Sequence, residues 1–190
     1  TQSPTDWPVT QYYLSVLLNN GQEAEAKDVK DALLNGFSDE PRAVTLAAMT
    51  EYSLGEVEAA RSRLEDQIQN NPDNATALAT LALVYQGEGQ NQKAVSTMVK
   101  AALLSPDSVG PIQGAGRLYA RENGPDEVVT WLIGIAKEHP KLAVNSTALA
   151  AQIQVQQRKL TEARRLLENI AEENRNDTAI QVEGQLLAAE

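Results

Sequence analysis

The apolar residues of this chain recur as pairs of short helical stripes with breaks between them. Between Ala75 and Ser108, Leu78, Leu81, Ala82 and Tyr85 stand at i, i+3, i+4 and i+7. That spacing predicts an amphipathic helix. Gly87 and Gly89 break it, and Ala94, Met98 and Ala101 mark a second stripe. Pro106 then stops the chain, because proline lacks the amide hydrogen a helix needs. Asp107 and Ser108 follow as N-cap residues for the next helix, as Asp73 and Asn74 do for this one. The segment is helix, turn, helix, and its short loops make the two helices antiparallel.

The pattern returns every 34 residues. Ala26, Ala60 and Ala94 share that step, with Val128 next; so do Pro72, Pro106 and Pro140. Gly21, Gly55 and Gly89 follow it, with Asn123 next, as do Ala48, Ala82 and Gly116, and Leu64, Met98 and Leu132. A physical division of labour explains the columns. Small residues at Ala48, Ala82 and Gly116 on each first helix face Ala60, Ala94 and Val128 on each second helix. Only small side chains there let the two helices approach closely. Leu64, Met98 and Leu132 fill the space between successive units. A lone unit cannot bury its apolar face, so stacking supplies the core.

These residues resemble a tetratricopeptide repeat (TPR). Leu78, Leu81, Ala82, Tyr85, Gly89, Ala94, Met98, Ala101 and Pro106 stand where the motif wants large, large, small, aromatic, Gly, Ala, large, Ala and Pro. The second unit matches through Val44, Ala48, Gly55, Ala60, Leu64 and Pro72, with Tyr52 one place late. The fourth matches through Ile112, Gly116, Tyr119, Leu132 and Pro140, and the first more weakly through Leu14, Leu17, Gly21, Ala26 and Leu33. A fifth, carrying Ala150, Ala151, Ala163, Leu167 and Ile170, follows with a one-residue slip. The resemblance implies an all-α fold: a right-handed α-solenoid of antiparallel helix-turn-helix repeats. It implies one array over 1–190, with repeats at 7–40, 41–74, 75–108, 109–142 and 144–176 and a final helix at 177–190.

In that family the first helices line a concave surface that holds a segment of a partner. By repeat register, Tyr12, Arg42, Met49, Tyr52, Thr80, Gln113, Arg117 and Arg121 are the candidate partner-binding residues here. Tyr12, Leu46, Met49, Tyr52 and Leu83 give an apolar and aromatic patch, unless Leu46 and Leu83 pack between neighbouring first helices. Arg117 and Arg121, one turn apart, give a positive spot suited to carboxylate, unless they pair with nearby Glu side chains. The chaperone-binding members of the family carry a clamp of Lys and Asn. Gln11, Ser15, Leu46, Thr76 and Thr80 occupy those positions here, which argues against that role.

Composition narrows the chemistry. The 190 residues hold 16 Lys and Arg against 26 Asp and Glu, a net charge of −10, with no cluster of bases for nucleic acid. No cysteine is present, which removes thiol chemistry and disulfides, and His139 is the one histidine. It sits before Pro140 at a helix end, where a cap-region role outweighs catalysis. The stretch Gly110–Gly116 lacks the Gly-Lys-Ser/Thr of a phosphate loop; Gly114 within it falls on a face that packing does not explain and could deepen a groove. The carboxylates spread over exposed faces and turns without an apolar-bracketed pair for acid catalysis. Asn74, Asn145 and Asn176 begin glycosylation sequons, yet each sits near a helix start, where capping is the better account.

The expectation is a non-enzymatic scaffold without cofactor or metal, binding a peptide or helical segment of a protein partner. Its alternatives are a self-association module of a larger chain, with a homo-oligomer as its mark, and, ranked lowest, an all-helical hydrolase. No stretch reaches the roughly 20 apolar residues of a membrane helix. The chain opens on Thr1, which reads as a processing site or a boundary within a longer chain. Composition rich in Gln, Asn and Ala reads as bacterial, with periplasm or cell envelope favoured over cytoplasm.

Overall fold

The computed structural model describes residues 6–189. Eleven α-helices account for most of them: α1 Trp7–Asn19, α2 Glu23–Gly36, α3 Pro41–Ser53, α4 Val57–Asn70, α5 Ala75–Gly87, α6 Asn91–Leu104, α7 Val109–Asn123, α8 Pro125–Glu138, α9 Ala143–Gln156, α10 Leu160–Glu168 and α11 Asp177–Ala189. Single 3₁₀ turns at Pro140–Leu142 and Glu172–Asn174 precede α9 and α11. No strand occurs among the described residues. Thr1 and Glu190, the last residue of the expected final helix, lie outside them.

The odd-numbered helices begin at Trp7, Pro41, Ala75, Val109, Ala143 and Asp177, each 34 residues after the last. The even-numbered ones begin at Glu23, Val57, Asn91 and Pro125, and then at Leu160, 35 residues on. The extra residue therefore falls in the α9–α10 turn and not at the start of α9. Two devices set the ends. Asn74 Oδ1 accepts from the Ala77 amide at 3.0 Å and Asn176 Oδ1 from the Ala179 amide at 3.1 Å, capping α5 and α11. Ser108, by contrast, makes no side-chain cap.

The second device is a left-handed residue after the first helix. Gly21, Gly55 and Gly89 have φ of 71°, 80° and 74°. Each lets the following amide reach back five residues: Gln22 to the Leu17 carbonyl at 2.9 Å, Glu56 to Glu51 at 2.9 Å, Gln90 to Tyr85 at 2.8 Å. This closes the helix with the Schellman bond. Asn123, next in the glycine column, is helical instead, and Gly124 takes the positive φ, 83°. After α9 the position belongs to Arg158, φ 61°, and Lys159 makes the same bond to the Gln154 carbonyl at 2.9 Å.

The chain divides into two compact units, with the boundary between Gln90 and Asn91. The first unit, α1 to α5, has two adjoining cores. Leu14, Leu17, Ala26, Leu33, Ala43 and Leu46 form one, with Trp7 set edge-on to Phe37 beside it. Ala48, Ala60, Leu64, Ala77, Leu81 and Val84 form the other. Ala48 and Ala60 share this cluster, as the small-residue columns require. In the second unit, α6 to α11, one core gathers Ala148, Ala151, Ala163, Leu167 and Ile170 with Ala179, Val182 and Leu186 of α11. Tyr119 and Trp131 of the same unit stack at 4.9 Å between centroids.

Buried polar groups complete the packing. Gln67 donates to the Pro41 carbonyl at 2.6 Å and accepts from Thr45 Oγ1 at 3.0 Å, tying α4 to α3. Asn145 is buried; its amide donates to the Pro106 carbonyl at 2.8 Å and its oxygen accepts from Asn176 at 2.8 Å. Thus Asn74 and Asn176 act as helix caps, whereas Asn145 ties two loops to α9. Tyr85 donates to Glu65 at 2.8 Å, and burial together with that carboxylate pushes its phenol up to about 12.

Glu51 stands in the column that holds Tyr85 and Tyr119. It is 2% exposed, and Arg63 of α4 grips both its oxygens, at 2.9 and 2.7 Å. That two-pronged bond holds the Arg63 guanidinium more firmly protonated. Arg63→Met strands the buried carboxylate and is expected to cost roughly 3 kcal/mol, with Glu51→Leu in the same chain recovering most of it. Urea titrations of the single and double variants check this. Arg158→Gly relieves a left-handed conformation that costs roughly 1–2 kcal/mol for a residue with a Cβ, and glycine's added unfolded-state freedom offsets part of the gain. The expected result is a rise of about 2 °C in Tm, read by calorimetry.

Candidate partner-binding surface

The odd-numbered helices carry the residues that repeat register assigns to partner binding. Their local sequence explains what each face offers. On α5 the core takes Ala77, Leu78, Thr80, Leu81, Ala82 and Val84, which leaves Thr76 and Leu83 exposed.

In the first unit, α1, α3 and α5 enclose an open pocket of about 510 Å³. Arg42 and Met49 line it together with Trp7, Gln11, Thr45 and Thr76. Tyr12 is 71% exposed and stands outside the pocket lining. Tyr52 is half-buried and packs against the core of Leu64 and Leu81. Its hydroxyl lies where a Cβ of residue 87 would be, so Gly87 makes room for it. Thr80 is buried, and its hydroxyl donates to the Thr76 carbonyl at 2.9 Å. Leu46 belongs to the core, whereas Leu83 is exposed.

In the second unit, α7, α8 and α9 enclose a smaller pocket of about 260 Å³. Gln113 and Arg117 line it with Gly116, Val128, Leu132, Leu149, Gln152 and Ile153. Arg117 donates to Gln113 Oε1 at 2.7 Å. Arg121 is exposed in the last turn of α7 and lies outside the pocket lining. Among the described residues neither arginine forms an ion pair. Gly114 does not open a groove: a Cβ there would meet the Met98 side chain at 3.4–3.5 Å, so this glycine admits α6. The glycine that does leave space is Gly116. Sequence reasoning placed it in a tightly closed column and missed the cavity beside it. Its only sequence signal is Gly in place of the Ala48 and Ala82 methyls.

The perturbed titratable groups lie elsewhere. Lys27 hydrogen-bonds Glu56 and, with Lys30, holds its carboxyl below the ordinary range. Lys159 does the same for Asp126 at 2.7 Å. With Arg63 and Tyr85 these sit at helix contacts and turns, outside both pockets just described. Half-buried His139 caps the end of α8. Among the described residues, no cluster of His, Asp and Glu could hold a metal, and no helix is long and apolar enough to cross a membrane.

No family model and no curated protein matches the sequence. Solved structures do resemble the fold. A thermophilic TPR protein of Thermus thermophilus superposes with a TM-score of 0.55 at 17% identity, over 96% of this chain and 98% of that one. PilF of Pseudomonas aeruginosa gives 0.56 at 14% identity, over 96% and 83%. The nearly identical TPR-like repeats of a kinesin light chain protein of Podosopora anserina give 0.55 at 18%, over 97% and 98%. At these identities the likeness speaks for the backbone alone, and it agrees with the 34-residue helix spacing and the left-handed turns. The chain has the fold of the tetratricopeptide-repeat proteins, an all-α solenoid of antiparallel helical hairpins.

Proposed function

We propose that this chain is a non-enzymatic scaffold that binds a peptide or helical segment of a protein partner on the faces of its odd-numbered helices. The observation that carries the proposal is what those faces leave unspent. Tyr12 and Leu83 remain exposed, Met49 lines an open pocket, and Arg117 and Arg121 lack carboxylate partners among the described residues. An acidic protein that leaves two arginines unpaired one turn apart suits an acidic feature of a ligand. Tyr12, Arg42, Met49, Tyr52 and Thr80 belong to the first face, with Tyr52 and Thr80 supporting it from within. Gln113, Arg117 and Arg121 belong to the second. A bacterial assembly of the cell envelope is the setting we favour, on composition.

Arg117→Glu with Arg121→Glu is expected to weaken partner capture at least tenfold while leaving Tm within about 1 °C, because both side chains are exposed. Calorimetric titration with the captured partner reads the first change and a thermal melt the second. Unchanged affinity removes the arginines from the surface.

A second reading, self-association, rests on α11. Ile180 and Leu187 stand seven residues apart on one face at 56% and 61% exposure. Sedimentation across a hundredfold concentration range is expected to show a dimer that Ile180→Glu with Leu187→Glu abolishes. A monomer at every concentration rejects this reading.

A further inference from the structure

The position of Gly116 in the repeat sets up a selective pocket. Its register equivalents Ala48, Ala82 and Ala150 are fully buried, each with its methyl inside packed structure. Gly116 is buried too, yet a Cβ placed on it would meet no atom within 4 Å. The missing methyl is therefore not required for helix approach. The space belongs to the cavity between α7, α8 and α9, which the buried Val128, Leu132 and Leu149 also line. At about 260 Å³ it is smaller than the roughly 300–1,000 Å³ of typical small-molecule sites, and it suits one side chain of a longer ligand.

The rim is polar in a specific way. Gln152 of α9 lines it with no hydrogen-bond partner for its side-chain amide among the described residues, which leaves a donor and an acceptor for a peptide unit. Arg117 of α7 lines the same pocket, is exposed and is bonded to neutral Gln113 alone. A guanidinium with spare donors at the mouth of an apolar hole selects a carboxylate close to an aliphatic group.

We infer that this pocket takes a branched aliphatic side chain of an extended protein segment with a carboxylate on the adjoining residue, the side chain entering beside Gly116 and the carboxylate meeting Arg117. The inference rests on the odd-numbered helix faces being partner-binding surfaces, and it names the ligand chemistry of one of them. The Leu-Glu pair is its simplest form.

The test uses the full chain and the probe acetyl-Gly-Leu-Glu-Gly-amide, with ¹⁵N-resolved NMR reading the backbone amide of Gly116 and the side-chain amide of Gln152. The probe is expected to shift both signals saturably. Replacing its Glu by Lys, or its Leu by Ala, is expected to weaken binding roughly tenfold. Gly116→Ala fills the cavity entrance and is expected to abolish the shifts while raising Tm by about 2 °C, since alanine is the better helix former. Loss of binding with gain of stability separates a blocked pocket from a damaged fold. Arg117→Gln is expected to erase the preference for Glu over Lys. Absence of shifts, or shifts that survive Gly116→Ala, overturns the inference. Shifts confined to Arg42 and Met49 also overturn it, but leave the broader binding proposal standing.

Discussion

Close approach of paired helices is the constraint on which this structure depends. Ala48 on α3 and Ala60 on α4 are both fully buried in one cluster with Leu64 and Leu81. A larger side chain at either point would push the helices apart and uncover the leucines. Low aromatic content follows from the same constraint. The protein fills its interior with alanine contacts and leucine wedges, so five Tyr, two Trp and one Phe suffice for 190 residues. Dispersion between closely spaced backbones replaces the bulk of aromatic rings.

Tight helix pairs need equally tight turns, and the left-handed residue supplies them. Glycine adopts positive φ without penalty, which is why it recurs at Gly21, Gly55 and Gly89. Arg158 keeps the same backbone and the same closing bond without that freedom. Polar anchors then fix how successive hairpins meet. Gln67 holds the start of α3, and Asn145 joins the loop at Pro106 to the cap of α11. Each is a buried amide bonded through both its nitrogen and its oxygen, so it orients its neighbours without an unsatisfied group.

The binding proposal is the complement of this packing. What the hairpins do not use internally stays on the odd-numbered helices. Thr80 illustrates the difference between register and availability, because its hydroxyl is bonded within its own helix. Tyr52 shows the same from the other side: its ring is committed to the core over Gly87. Met49, Arg42, Gln113 and Arg117 remain to line pockets. A surface of this kind is chosen by subtraction.

Periodicity alone determined the helices, their antiparallel pairing and the place of the small-residue columns, because each depends on spacing along the chain. The helix spacing of 34 and the capping asparagines Asn74 and Asn176 were readable for the same reason. The tertiary structure decided what depends on neighbours distant in sequence. Glu51 reads as one more surface carboxylate until Arg63, twelve residues on, is brought beside it. Gly114 and Gly116 are indistinguishable as letters. One faces Met98 and the other faces empty space, because α6 lies on one side of α7 and the pocket on the other. Asn145 looked like a cap and is a buried bridge, since its partners lie 39 and 31 residues away. Local spacing specifies which face of a helix is apolar; only packing specifies which part of that face stays open.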